Sequence, residues 1–146
     1  MRSGGTAAEA YVCGDREHPG LRGRVWFIPQ ADGVLVEAEI WGLPAEPGPG
    51  FFGFHIHEGG NCGGEGFANA GGHFNPGGQE HPRHAGDLPP LLGCGGRAYL
   101  AVKTNRFRIG EIVGRTVVIH SRPDDFRTQP SGDSGSRIAC GVIHGL

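Results

Sequence analysis

Residues 59–96 carry neither strand nor helix periodicity, yet strand-like segments flank them on both sides. An irregular run of nearly forty residues inside a compact domain is either functional or a sign that elements have been misassigned. The segments around it read as β. Residues 21–30 and 34–41 are separated by Ala31-Asp32-Gly33, a short loop suited to a hairpin. In the second segment Val34, Val36, Ala38 and Ile40 share one face, and Glu37, Glu39 and Trp41 the other. Residues 51–58 form the next strand, after a Pro/Gly-rich connection at 44–50. Strand character returns at 97–102, around 107–109, and at 114–120 and 137–143, with a second polar loop at 124–136. Short strands with turns between them point to a sandwich or barrel.

Composition has to be reconciled with this reading, because 29 Gly and 11 Pro among 146 residues reach the range of low-complexity chains. A net charge of −2, 37% hydrophobic residues and eight Phe argue against disorder, and no G-X-Y period is present. One domain, 1–146, accounts for the length, with residues 1–10 read as a flexible N-terminus. Twelve Arg and one Lys are scattered, which leaves no nucleic-acid footprint. No apolar run approaches the ~20 residues needed to span a bilayer, so no membrane partner is expected. The N-terminal stretch has no apolar signal region, which predicts a cytoplasmic protein, or a secreted or periplasmic one if a signal was removed.

The histidines give the irregular run its purpose. Of eight, six (His55, His57, His73, His81, His84 and His120) lie on it or on its flanking strands. His55 and His57 share one strand face, while Phe52, Phe54 and Ile56 take the opposite parity and point to the core. Val117 and Ile119 likewise leave His120 on the outer face. The loop adds His73 and then His81-x-x-His84-x-x-Asp87. Imidazole suits copper and zinc, and three His with one Asp suit tetrahedral zinc. His18 and His144 read as ordinary surface residues, Trp26 and Trp41 as packing residues. Glu58, Asn75 and Asp125 read as partners in loop hydrogen bonds.

Several stretches resemble the copper/zinc superoxide dismutases. They are Gly53-Phe54-His55-Ile56-His57-Glu58, Gly72-His73-Phe74-Asn75-Pro76, His84-Ala85-Gly86-Asp87-Leu88, residues 114–120 with Asp124-Asp125, and residues 135–143. The likeness runs in order over about 21–143. It implies an all-β fold, an eight-stranded Greek-key β-barrel (an immunoglobulin-like sandwich) with a long metal-binding loop and a second active-site loop.

By this resemblance His55, His57, His73 and His120 bind a copper ion, and His73, His81, His84 and Asp87 bind a zinc ion. His73 bridges the two. Cys62 and Cys140 form a disulfide, and Asp124 links a copper-side His to a zinc-side His. Arg137 and His73 are the catalytic residues: Arg137 attracts the substrate anion and His73 takes up a proton. The implied activity is that of an oxidoreductase, converting two superoxide anions to O2 and H2O2 by alternating Cu(II)/Cu(I) redox at the bridged site. Superoxide is the implied substrate, with a homodimer and a copper-delivery chaperone as further partners. The chain departs from the family's eukaryotic members in its short His81–His84 spacing, which weakens the expectation of zinc relative to copper. Arg127 is the nearest basic residue for guidance from the second loop. Cys13 and Cys94 either pair or stay as free thiols. The competing reading is a non-enzymatic metal-binding or metal-transfer module on the same fold. It has no need for Arg137 beside an open site. A zinc hydrolase is disfavoured because Glu58 is poorly placed as a general base.

Overall fold

Each strand that bears a metal-type histidine also carries core residues in the alternate positions, and this fixes how the domain is assembled. The structure, a computed structural model, describes residues 7–45 and 50–146; residues 1–6, and 46–49 of the Pro/Gly-rich connection, lie outside the described residues. The strands are β1 (Ala8–Gly14), β2 (Arg22–Gln30), β3 (Gly33–Trp41), β4 (Phe51–Phe52), β5 (Phe54–His57), β6 (Leu91–Leu92), β7 (Ala98–Thr104), β8 (Thr116–His120) and β9 (Arg137–Gly145).

The architecture is all-β, as expected. Among the described residues, seven strands form one curled antiparallel sheet in the order β5-β8-β9-β1-β2-β3-β7, and β4 pairs with β6 apart from it. Eight strands thus give way to seven plus two. One reason is Gly53, which splits the expected strand 51–58. Its N–H donates to the Arg122 carbonyl (2.9 Å) and its own carbonyl accepts from His120 N–H (2.8 Å). The chain therefore leaves β6 and joins β8 at that residue.

Two further expectations need correction. Residues 8–10, read as part of a flexible N-terminus, belong to β1, where Ala8 and Ala10 are fully buried between β2 and β9. Residues 107–109 are not a strand. Phe107 is buried, but Ile109–Ile112 form one helical turn, α1, because the Glu111 carboxylate accepts the Arg108 N–H (2.8 Å) at its start.

The expected parity holds. Phe54, Ile56, Val117 and Ile119 lie in the main core with Phe27, Ile138 and Ile143, while Val118 joins a small outer cluster with Ala70 and Cys140. Burial of each Val, Ile or Phe among them contributes about 1.5–3 kcal/mol. The irregular 59–96 run folds back over the outer face of β5. Isolated bridges pair His57 with His73 and His55 with Asp87, and short 3-10 turns occupy Glu65–Ala70.

Candidate metal centre

The histidines that leave the barrel do not reach solvent. His55, His57, His73, His81, His84 and His120 are all buried, and so is Asp124. Strand parity sends His55, His57 and His120 outward, and the loop that covers them carries His73, His81 and His84, so the six gather in a thin layer between the sheet and the loop.

Two groups of donor atoms form there, each with its atoms within 4.8 Å of one another. One is His55, His57, His73 and His120; the other is His55, His73, His81 and Asp87. The first matches the expected copper set. The second contains His55 where the resemblance names His84, but His55 has its Nε2 committed to Asp124 Oδ2 at 2.8 Å. His84 is close by, with its Nδ1 3.1 Å from His73 Nδ1 and 3.2 Å from Asp87 Oδ2. His73 belongs to both groups and stacks on His55 with ring centroids 4.0 Å apart.

Hydrogen bonds from outside the cluster decide which nitrogen each ring leaves open. His57 Nδ1 donates to the Gly71 carbonyl (2.8 Å), so Nε2 is left, 3.2 Å from His120 Nε2. His55 and His81 each give Nε2 to one oxygen of Asp124 at 2.8 Å, leaving Nδ1 on both. His81 Nδ1 is 3.1 Å from Asp87 Oδ2 without the alignment of a hydrogen bond. His55 Nδ1, His73 Nε2, His81 Nδ1 and His120 Nδ1 are buried with no hydrogen-bond partner. Buried polar nitrogens left unpaired are costly and rare. Three of them, His55 Nδ1, His73 Nε2 and His81 Nδ1, lie in one cluster and fit metal ions held by neutral imidazoles.

The electrostatics agree. Burial pushes His55 down to about 4 and His57 and His120 well below the ordinary imidazole value, so these rings are unprotonated at neutral pH. Burial also opposes charge on Asp124. The hydrogen bonds from His55, His81 and the Phe126 N–H outweigh it and hold the carboxyl well below the usual carboxylate range. Asp87 is likewise opposed by burial, yet it is lowered by its hydrogen bond with His73 and by the proximity of His73, His81 and His84. An anionic carboxylate tied to a ring nitrogen fixes ring orientation and makes the opposite nitrogen a better donor.

Asp124 depends on Gly132. A Cβ at that position would stand 2.0 Å from Asp124 Oδ1 and 2.7 Å from His81 Nε2, and its φ of +74° is one L side chains rarely adopt.

Arg137 lies beside the cluster. Its guanidinium donates to the carbonyls of Phe67 (3.0 Å) and Gly71 (2.6 Å), so the loop holds it in place. It lines a cleft of about 400 Å³ with His57, His73, His84, His120 and Ser131. Arg127 does not line that cleft, and Ser131 stands there from the second loop. Gly71, whose carbonyl serves both His57 and Arg137, had no signal in the sequence: such side-chain-to-backbone bonds leave no local pattern.

Cys62 and Cys140 form the expected disulfide, while Cys13 and Cys94 are exposed free thiols. Asn75 and Asp125 are loop hydrogen-bond partners, Asn75 with Gln79 and Asp125 with Arg127 and Thr128. His18 pairs with Asp15, and exposed His144 stands opposite Glu9 on β1, both apart from the cluster.

A family model described as copper/zinc superoxide dismutase matches residues 21–143. The Cu-Zn superoxide dismutase of Deinococcus radiodurans is 38% identical over 147 residues, covering 86% of this chain and 79% of that protein. Cu-Zn superoxide dismutase 3 of Arabidopsis thaliana is 36% identical over 157 residues, covering 96% and 91%. A solved structure, a double mutant of a superoxide dismutase-like protein from Bacillus subtilis, aligns with a TM-score of 0.78 at 33% identity, covering 94% of this chain and 97% of that one.

Proposed function

The chain belongs to the copper/zinc superoxide dismutase family, and from that premise we propose that its buried histidine layer is the dismutation site, with the residue roles set out below. The activity is conversion of two superoxide anions and two protons to O2 and H2O2, and the cofactors are copper and zinc. One relative, from Bacillus subtilis, is named only as superoxide dismutase-like, so the residue roles must rest on this chain's own site.

His55 Nδ1, His57 Nε2, His73 Nε2 and His120 Nε2 would hold copper. His73 Nδ1, His81 Nδ1, His84 Nδ1 and an Asp87 oxygen would hold zinc. The observation that carries this assignment is the sharing of His73 between two compact donor groups, with its Nε2 buried and unpaired. When bound, copper supplies the one-electron couple that superoxide needs in both directions, and zinc, which has no redox chemistry, supplies order and charge.

The protein's own groups do the rest. Asp124 holds two rings by one nitrogen each and so keeps the other nitrogen directed at the metals. Arg137, cationic at any working pH and facing the cleft, attracts a small anion and orients it beside the copper-side nitrogens. His73 Nε2, whenever it is not serving as a metal donor, would be the atom that takes up a proton and passes it to the reduced substrate. Cys62–Cys140 ties the loop to β9.

A single domain over 1–146, a homodimer, a copper-delivery chaperone and a cytoplasmic location complete the proposal and rest on the resemblance. Sedimentation and cell fractionation read the dimer and the compartment. The central test is metal analysis beside superoxide turnover in protein supplied with both ions. About one copper and one zinc per chain with rapid turnover supports the assignment. Both metals bound without turnover would instead favour a metal-binding module.

A further inference from the structure

The His81–His84 segment is short for one that carries two zinc donors, and its own backbone gives it little stiffness. Within it, Arg83 N–H donates to the Glu80 carbonyl (2.7 Å) and Asp87 N–H to the His84 carbonyl (3.1 Å). A third local bond runs from the His84 N–H to Asp87 Oδ2 (2.9 Å), and further support comes from two distant parts of the chain. Gln129, on the 121–136 loop, contacts the His81 main chain at two points. Its Oε1 accepts the His81 N–H at 2.8 Å and its Nε2 donates to the His81 carbonyl at 2.7 Å, across 48 residues of sequence. Arg106, in the turn after β7, donates through Nη1 to the carbonyls of Pro82 (2.7 Å) and His84 (3.3 Å).

Neither side chain touches a proposed donor atom. Aiming an imidazole nitrogen at a fixed point requires both its ring plane and its Cα to be set. Asp124 sets the ring of His81 through Nε2 at 2.8 Å, and Gln129 sets the main chain of the same residue. Arg106 does the corresponding work for the peptide groups that lead to His84. We propose that Gln129 and Arg106 are positioning residues for zinc, supplying from outside the rigidity that a short segment lacks. The inference rests on the zinc assignment made above. Donors already held in place lose less freedom on binding, so the contribution appears as zinc affinity. Copper affinity changes much less, because its donors sit on β5, β8 and the 73 region, which neither side chain braces directly and which feel His81 only through Asp124.

The experiment titrates zinc and copper separately into metal-free wild type, Gln129→Met and Arg106→Met, each against a chromophoric competitor at fixed pH. Cobalt(II) absorption serves as a geometric signature of the zinc site. Gln129→Met keeps the side chain's bulk and removes both hydrogen bonds. Each variant is expected to bind zinc about tenfold more weakly, with altered cobalt bands and a much smaller change in copper affinity. Wild-type zinc affinity and cobalt bands in both variants would overturn the clamp while leaving the zinc assignment standing. Equal weakening of zinc and copper would also overturn it, by pointing to general loosening. If wild type takes up zinc nowhere in this layer, the zinc assignment fails and the clamp falls with it. The thermal midpoints of the metal-free variants identify any that do not fold, and the other position then decides.

Discussion

Arg137 stands directly across the β8–β9 ladder from His120, although the pairing one step earlier joins Ile119 to Ala139. The register shift skips Ile138, which stays in the core. Without it, His120 would face that buried isoleucine. Residues directly opposite on neighbouring strands share a face, so the shift turns a cation toward the metal layer.

Arg137→Ala is therefore expected to lower superoxide turnover about tenfold or more at low ionic strength and to flatten its dependence on salt, with copper still bound. Arg137→Lys keeps the charge but loses the fork to Phe67 and Gly71, and should fall between. Stopped-flow turnover against ionic strength reads both. Wild-type salt dependence in the Ala variant would remove Arg137 from the steering role.

Gly132→Ala should act through Asp124. The added methyl meets Asp124 Oδ1 at 2.0 Å, so the carboxylate must move and release His55 and His81. Zinc binding weaker by about tenfold to a hundredfold is expected, similar to Asp124→Asn. Competition titration compares the two, and unaltered affinity in Gly132→Ala would mean that the loop yields instead of the carboxylate.

The metal-free protein should lose stability in acid. His55 titrates at about 4 in the folded chain, and His57 and His120 are also held well below 6.5, the value they regain on unfolding. The unfolded chain then binds more protons. Their contribution is fully present above pH 6.5 and, for His55, is lost as pH falls through 4. Asp87 and Asp124, both lowered from 3.8, act in the same direction at still lower pH. Thermal midpoints should drop steadily from pH 7 toward 4, and a flat profile there would contradict the buried neutral rings.

Cys62→Ser removes a link across a sequence separation of 78 residues. Loss of about 4 kcal/mol, or roughly 10 °C in thermal midpoint, is the expected scale. Turnover should fall as well, because the carbonyls that hold Arg137 belong to Phe67 and Gly71, shortly after Cys62. Differential scanning calorimetry and turnover on one sample test both effects. A lower midpoint with wild-type turnover would uncouple the bridge from Arg137.

Much of this site could be read from the sequence because strand parity is a strict rule. His55 and His57 against Phe54 and Ile56 leave one arrangement that buries the apolar set. β1 escapes the alternation pattern because its inward residues include Ala8 and Ala10, weakly apolar, and its pairing comes from β2 and β9, distant in sequence. Phe107 reads as strand because burial alone does not distinguish a strand from the approach to a helical turn; Glu111 does. Gln129 and Arg106 lay beyond reach, since a side chain bonded to a distant peptide leaves no period.

Asp124 has one further consequence. Its two oxygens each hold one ring, His55 of the proposed copper set and His81 of the proposed zinc set, at equal distances of 2.8 Å. The orientations of those rings are therefore not independent variables. Whatever occupancy of one side does to affinity at the other must be returned in equal measure, because linkage between two equilibria is reciprocal. On the proposed assignment the carboxylate couples the two metal sites, and titrating either metal in the presence of the other measures a single shared coupling constant.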